Sequence, residues 1–281
     1  MAFPVYSTVV ASPRTWRRLP IALLRVKPIR WALLVLSALA SAAQSDNKTP
    51  VFDVIAIRPT DPSAMRNQCY MRGQPGGQTF TGRCIPLSVI LKYAYKIVDG
   101  QIGSAPDWTN TQLYDFDAKV DHPVTRADVA GMMQAFLADR FNLKFHKETR
   151  TMQAFVLSID KSGNKMTANS TEYEWEIPVQ FVPATLLKVK GIRCPMYYLS
   201  WWIGQQNNRP VVDRTGLTGF WDFTLEYLPD SMQGRTGPNG EPVDGPSLAT
   251  ALKQQLGLKL DSEKTQVEVY VIDHVEKAAA N

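Results

Sequence analysis

The stretch Leu137-Ala-Asp-Arg-Phe-Asn-Leu-Lys-Phe-His-Lys-Glu-Thr-Arg150 decides the fold, because its pattern returns once along the chain. A shift of 115 residues lays 133–159 over 248–274 without a gap. Asn142 then meets Gly257, and these two residue types best tolerate the left-handed conformation that ends many helices. Each copy therefore predicts a helix, a left-handed residue and then strand.

The elements around these two copies also repeat in order. Thr125 and Asp128 form a capping-box pattern that begins a helix at 125–141. The first half is further predicted to hold a strand at 52–58, a hairpin at 66–84, a helix from Pro86, and strands at 114–120, 143–147 and 153–160. The second half is predicted to hold a helix from Cys194, a strand at 220–227, a helix at 247–256, and strands near 258–261 and 266–276. The expected fold class is α+β, with two related helix–strand–helix–strand units, small antiparallel sheets and a pseudo-duplicated order.

Residues 1–42 have the pattern of a secretion signal. They contain six basic residues and no acidic one, and the apolar run from Trp31 to Ala40 is shorter than the roughly 20 residues that span a bilayer. Ala40-Ser41-Ala42 fits a cleavage site, and an uncleaved amphipathic anchor is the alternative. We therefore expect an exported protein, periplasmic or extracellular, with no integral membrane segment after cleavage.

The net charge of +5 belongs to this leader, so the rest of the chain is close to neutral. Binding to nucleic acid needs clustered Lys and Arg that replace phosphate counterions. We therefore expect no nucleic-acid partner.

The chain after the leader is divided into three segments. Residues 43–50 are polar and predict a disordered start, 51–165 a first α+β unit and 166–281 a second. Within the second unit, 229–246 is rich in Gly and Pro and predicts a mobile loop.

Three cysteines remain after export, and an oxidising compartment permits disulfides. Cys69 and Cys84 flank the turn of the predicted hairpin, so we predict a bond between them and a reduced Cys194. The alternative pairs Cys84 with Cys194, since each precedes the first helix of its repeat.

Four segments resemble the hallmark segments of one protein family. They are Phe52-Asp-Val-Ile-Ala-Ile-Arg-Pro59, Leu137 to Arg150, Arg209-Pro-Val-Val-Asp-Arg-Thr-Gly-Leu-Thr-Gly219 and Ala251-Leu-Lys-Gln-Gln-Leu-Gly-Leu-Lys-Leu260. The family is a large paralogous set of soil-associated exported proteins, mostly from Acidobacteria, built on a domain of unknown function. The resemblance covers nearly all of 51–281. It implies export and a shared fold, and it implies no activity and no catalytic residues.

Short motifs that suggest catalysis are incomplete in this chain. Asp213-Arg-Thr-Gly216 resembles the Asp-Thr-Gly loop of aspartic proteases, but its spacing differs by one residue and no partner loop accompanies it. Ser158-Ile-Asp-Lys161 and Ser162-Gly-Asn-Lys165 match Ser-x-x-Lys, yet they fall on a strand end and a turn rather than at a helix start. We therefore expect no catalytic residues.

The three histidines are His122, His146 and His274, and none has a second His or Cys at metal-ligand spacing. His274 lies in an alternating strand pattern, so we interpret it as a hydrogen-bonded structural residue, with a catalytic base as the alternative. No metal and no other cofactor is expected.

Two tyrosines and two tryptophans follow Cys194 on one short predicted helix. Trp202 belongs to the buried stripe by its spacing, which places Tyr198 or Trp201 at the edge. Aromatic side chains mark interaction sites. We therefore take Trp108, Tyr198 and Trp201 as candidate ligand-binding residues in a groove between the two halves, with burial in the core as the alternative.

Three functions are compatible with these patterns. We favour a non-enzymatic exported module that binds an unknown ligand or partner in the cell envelope. The alternatives are an envelope hydrolase with an unrecognised site and, by fold analogy, a signalling domain of the secretin or receptor type. Strongly shifted pKa values gathered in one cleft would favour the enzyme.

Overall fold

The computed structural model describes residues 51–61, 69–73, 77–172, 179–181, 186–236, 240 and 242–279. The predicted signal peptide at 1–42 and the predicted disordered start at 43–50 lie outside these residues. No helix within the described residues combines the length and the apolar character needed to cross a membrane.

The described residues alternate between strands and helices. The strands are β1 (Val54–Pro59), β2 (Tyr70–Gly73), β3 (Thr79–Pro86), β4 (Ile102–Gly103), β5 (Leu113–Lys119), β6 (Lys144–Ile159), β7 (Thr167–Ala168), β8 (Val179–Phe181), β9 (Leu187–Pro195), β10 (Val211–Asp213), β11 (Phe220–Tyr227) and β12 (Leu258–His274). The α-helices are α1 (Leu87–Tyr95), α2 (Trp108–Thr111), α3 (Arg126–Arg140), α4 (Met196–Asn207) and α5 (Leu248–Ala251), and α5 continues into a π-helical turn, Leu252–Leu256. The predicted α+β class, with small sheets and helices, is confirmed.

A long antiparallel ribbon of β6 and β12 lies at the centre of a sheet with the order β10-β6-β12-β4. The register of this ribbon is centred on Thr151 opposite Gln266, which are themselves 115 residues apart. β10 joins β6 in parallel at Phe155, and β4 joins β12 in parallel at Tyr270, again 115 residues further on. This symmetric register supports the duplication, which stays a prediction.

Two further sheets have the orders β1-β5-β3-β2 and β7-β11-β9-β8. In each, one strand leads directly into a helix, β3 into α1 and β9 into α4. A Cβ atom at Gly82 of β3 would overlap the ring of Phe116, and one at Gly191 of β9 would overlap the ring of Phe223. Glycine is therefore required at both places, because an aromatic ring packs directly on the backbone.

The two helix-leading strands also share a bulge held by an aspartate. Cys84 and Arg193 adopt left-handed backbone angles, with φ of 46° and 49°. The amide of Cys84 donates to Asp115 Oδ1 at 3.0 Å, and the amide of Arg193 donates to Asp222 Oδ1 at 2.7 Å. The carboxylates thus satisfy amides that the irregular strand pairing leaves without a ladder partner.

The apolar interior forms two main clusters. One lies between the β1-β5-β3-β2 sheet and the helices α1 and α3, and its fully buried members include Ile57, Leu87, Ile90, Tyr114, Phe116, Leu137 and Phe141. The other lies between β9, β11, α4 and α5, and its fully buried members include Val189, Leu199, Ile203, Leu225, Leu252, Leu256 and Leu258.

The local signals at the two predicted helix ends match the structure. The Asp128 amide donates to Thr125 Oγ1 at 3.1 Å and the Thr125 amide donates to Asp128 Oδ2 at 3.0 Å, which completes the capping box of α3. Asn142 has φ of 46° and Gly257 has φ of 69°, so both are left-handed as predicted.

The strand boundaries differ from the prediction in one respect. The strands expected at 143–147 and 153–160 are one continuous strand, β6, and those near 258–261 and 266–276 are one strand, β12. Neither strand contains a Gly or Pro to interrupt it. The predicted boundary at 165/166 separates two strands that share a ribbon, and within the predicted loop 229–246 Asp230–Met232 forms a 3₁₀ turn. The two-unit division and the mobility of the loop stay predictions.

The cysteine pairing confirms the prediction from the sequence. Cys69 and Cys84 are bonded, with their Cα atoms 5.1 Å apart, and β2 pairs with β3 between them. Cys194 is buried and free, so the alternative pair with Cys84 does not form.

We expect replacement of both Cys69 and Cys84 by serine to lower the free energy of unfolding by about 3 kcal/mol. The bond joins cysteines 15 residues apart and so restricts the conformations of the unfolded chain. Urea unfolding with and without reductant measures this. The double variant should be insensitive to reductant. If reductant lowered the free energy of unfolding equally in the wild type and in the double variant, the Cys69–Cys84 disulfide would be contradicted.

Candidate functional site

The end of α1 places a lysine in an aromatic environment. Lys96 follows the last helical residue in a left-handed conformation, with φ of 54° and ψ of 48°, and its amide donates to the Lys92 carbonyl. This turn directs the Lys96 side chain back along the helix, where Nζ lies 3.7 Å from the ring centroid of Tyr93.

Two aromatic rings of α4 complete a cage around this amine. Lys96 Nζ lies 4.7 Å from the centroid of Trp201 and 5.6 Å from that of Tyr198. The two rings pack on each other with centroids 5.0 Å apart, and Trp201 meets Tyr93 edge-on at 6.4 Å. Trp201 Nε1 donates to the Ile97 carbonyl at 3.2 Å. The cage therefore joins α1 of the first half to α4 of the second.

Burial and charge shift the ionisation of Lys96. Desolvation lowers the pKa of its amine to about 7, and the positive charge of Arg126 acts in the same direction. The faces of three aromatic rings attract the ammonium and offset part of this cost. Within the part of the chain that the structure describes, Lys96 forms no ion pair with a carboxylate. The cage thus holds an amine whose charge changes near neutral pH.

An open pocket of about 430 Å³ adjoins the cage. The end of α1 forms one wall, and the facing surface of α3, the start of α4 and the middle of β12 form the others. The lining residues are Ala94, Tyr95, Lys96, Ile97, Gln101, Arg126, Ala130, Gln134, Tyr197, Glu268 and Tyr270. Its volume lies within the range of about 300–1,000 Å³ typical of small-molecule sites.

Aromatic packing forms the floor of this pocket. The ring of Tyr95 lies 4.9 Å from that of Phe145 and 5.3 Å from that of Tyr270. Burial raises the pKa of Tyr95 to about 12, so its phenol is neutral at physiological pH. Tyr197 stands at the opening, with 53 % of its surface exposed. The pocket therefore combines tyrosine rings with cationic side chains.

The structure brings together two of the three predicted ligand-binding residues. Tyr198 and Trp201 are in contact, and they stand behind Lys96 rather than on the pocket lining. Trp108 packs against the first core cluster, with Lys277 Nζ 5.9 Å from its ring centroid. The structure thus relates the α4 pair to a pocket but does not place Trp108 beside it.

Sequence reasoning missed the residues that give the pocket its charge. Lys96 and Arg126 lie 30 residues apart in the chain, and neither belongs to a recognised motif. One local signal was present, since Tyr93 and Lys96 are spaced as neighbours on a helical surface.

The incomplete catalytic motifs have structural roles. Asp213 Oδ1 accepts hydrogen bonds from the Thr215 amide at 2.9 Å and the Thr215 hydroxyl at 2.7 Å, which forms a tight turn. Ser162 bonds to Asp160 in a turn after β6. Burial raises the pKa of the Cys194 thiol to about 12, so this group is a poor nucleophile.

Histidines occur on the surface beside carboxylates. His274 Nε2 lies 2.7 Å from Glu276 Oε1, in agreement with a hydrogen-bonded structural residue. Asp53, Asp121 and His122 come within reach of one another, although 68 residues separate the two aspartates. All three are exposed, and Asp53 Oδ2 already accepts the Asp121 amide, so this cluster is a solvated loop contact.

The fold and the pocket define a small-sheet α+β protein with a charged aromatic cleft. A family model described as "Protein of unknown function (DUF3738)" matches residues 88–275, and the chain belongs to this family. No curated protein matches the chain. No solved structure matches it either.

Proposed function

We propose that this protein is an exported, non-enzymatic module of the cell envelope that binds a small ligand in the pocket between α1, α3, α4 and β12. The observation that carries this proposal is the pocket itself, where cationic and aromatic side chains from both halves converge. The lining combines tyrosine and aliphatic side chains with the polar groups of Lys96, Gln101, Arg126, Gln134 and Glu268. Polar groups of this kind fix the orientation of a ligand in a pocket. The signal-like leader and the Cys69–Cys84 bond support export.

One observation favours a second candidate, an envelope hydrolase. The lowered pKa of Lys96 and the raised pKa of Tyr95 are found in one cleft, as catalytic sites often require. However, the residues that line this cleft include no Ser, Thr or Cys, and its carboxylate, Glu268, is already paired with Lys147 Nζ at 2.9 Å. Binding therefore accounts for more of the pocket than hydrolysis does.

A pocket-filling variant tests the binding function. Ala130 lines the pocket on α3, and Ala130→Trp is expected to occupy the ligand space with an indole. We expect small molecules captured by the wild-type protein from an envelope extract, and detected by mass spectrometry, to be lost in this variant.

The matched control is Ala249→Trp, which adds the same side chain at an exposed position on α5. It should retain the captured molecules. The proposal fails if both tryptophan variants capture the same molecules as the wild type, or if the wild type captures none.

A further inference from the structure

Two cationic side chains face the proposed ligand pocket, and they repel each other. Lys96 and Arg126 both line the space, and the charge of Arg126 is close enough to lower the pKa of the Lys96 amine. Two like charges in a partly desolvated site repel each other. An anion placed between them attracts both and so offsets this repulsion. The charge arrangement therefore favours an anionic ligand.

The acidic residue of the pocket lining, Glu268, forms its ion pair with a lysine outside the cage. Glu268 lies on β12, and its Oε1 is 2.9 Å from Lys147 Nζ on the neighbouring strand β6. Lys147 Nζ also lies 4.9 Å from the ring centroid of Tyr270. The carboxylate is thus already paired, and among the residues that the structure describes no carboxylate forms an ion pair with Lys96.

The rest of the lining suits an apolar body attached to that anion. The rings of Tyr95 and Tyr270 form a continuous surface, and Ala130 leaves space above it. The exposed ring of Tyr197 stands at the opening and can cover a bound ring. A fully hydrated inorganic anion would leave these aromatic faces unused.

Building on the proposed binding function, we propose that the pocket binds an organic carboxylate. Its anionic group lies between Lys96 and Arg126, and its apolar body lies against the tyrosine rings. Affinity then depends on the protonation of Lys96, because a neutral amine attracts a carboxylate far less than an ammonium does.

The pH dependence follows from the groups that face the site. From α1, α3, α4, β6 and β12 these are Tyr93, Tyr95, Lys96, Arg126, Tyr197, Tyr198, Lys147, Glu268 and Tyr270. The pKa of Lys96 is about 7, whereas burial raises the pKa values of Tyr95 and Tyr198 to about 12. Carboxylate affinity should therefore rise as pH falls from 8.5 to 6, through about the Lys96 pKa.

Benzoate, benzyl alcohol and benzylamine provide probes of similar size that are anionic, neutral and cationic, respectively. We expect benzoate to bind the mature exported protein about tenfold more tightly than benzyl alcohol at pH 6, because benzoate gains an ionic contact that the neutral alcohol lacks. Isothermal titration and amide chemical-shift mapping measure affinity and location. Lys96→Gln and Arg126→Gln should each weaken benzoate about tenfold, and Lys96→Gln should abolish the dependence on pH.

The matched control is Lys264→Gln, which removes the same charge from an exposed position on β12 and should leave benzoate affinity unchanged. Urea unfolding verifies that each variant is folded. The carboxylate assignment is overturned if benzoate binds no better than benzyl alcohol, if Lys96→Gln binds it like the wild type, or if none of the probes binds. Binding of benzyl alcohol or benzylamine in the pocket at least as tightly as benzoate, lost in Ala130→Trp, would overturn the assignment yet preserve the binding function.

Discussion

Replacement of Gly257 by alanine is expected to lower the free energy of unfolding by about 2–5 kcal/mol. Gly257 has φ of 69°, and a left-handed conformation costs an alanine roughly 1–2 kcal/mol. A Cβ atom there would also overlap the carbonyl oxygen of Gly163. The turn that contains Gly163 is held by two backbone hydrogen bonds, from the Asp160 amide to the Gly257 carbonyl at 2.8 Å and from the Lys165 amide to the Leu256 carbonyl at 3.0 Å. Moving the turn away from the new methyl group would therefore disrupt these hydrogen bonds.

Gly163 supplies the matched control, because it has φ of 78° but open space where a Cβ would lie. Gly163→Ala should therefore cost only the conformational part, roughly 1–2 kcal/mol. Urea unfolding of the two variants gives the comparison. Equal losses at the two positions would show that the close approach of the turn to the helix end has no energetic weight.

Replacement of Lys96 by methionine is expected to change how stability depends on pH. The pKa of Lys96 is about 7 in the folded protein and 10.5 in the unfolded chain. Between these values the unfolded chain binds the additional proton, so stability rises with pH; below about 7 both states bind it and the difference is constant. The wild type should therefore gain about 2 kcal/mol relative to Lys96→Met between pH 7 and pH 9.

Urea unfolding at pH 6, 7.5 and 9 measures this gain. The raised pKa of Tyr95, about 12, lowers stability only above pH 10 and stays outside the window. Lys264→Met removes a charge from an exposed position and should follow the wild type at every pH. Curves for Lys96→Met that run parallel to the wild type would contradict the burial of the amine.

Features set by neighbouring residues were predictable from the sequence. The capping box of Thr125 and Asp128 and the left-handed Asn142 and Gly257 depend on contacts within one helical turn. The continuity of β6 was missed because its central residues are polar and charged. These residues stay in a strand since each pairs with β12, a partner more than 100 residues away.

The site was predictable in part for the same reason. Tyr198 and Trp201 were selected together because their relation is local to α4, and their role in ligand binding stays a prediction. Lys96 was missed because two rings of its cage come from α4, about 100 residues further along the chain. Trp108 was selected for its residue type alone, and its packing against the first core cluster depends on tertiary contacts that no local pattern specifies.

The central ribbon has a consequence for how such a chain can arise. Thr151 of β6 faces Gln266 of β12, and positions before and after them pair symmetrically about this point. A chain that stopped after β6 would carry an unsatisfied edge, and a second molecule could complete it in the same antiparallel register. Under the predicted duplication, the present chain corresponds to a fused homodimer, with a pseudo-twofold axis between Thr151 and Gln266 in place of a subunit interface.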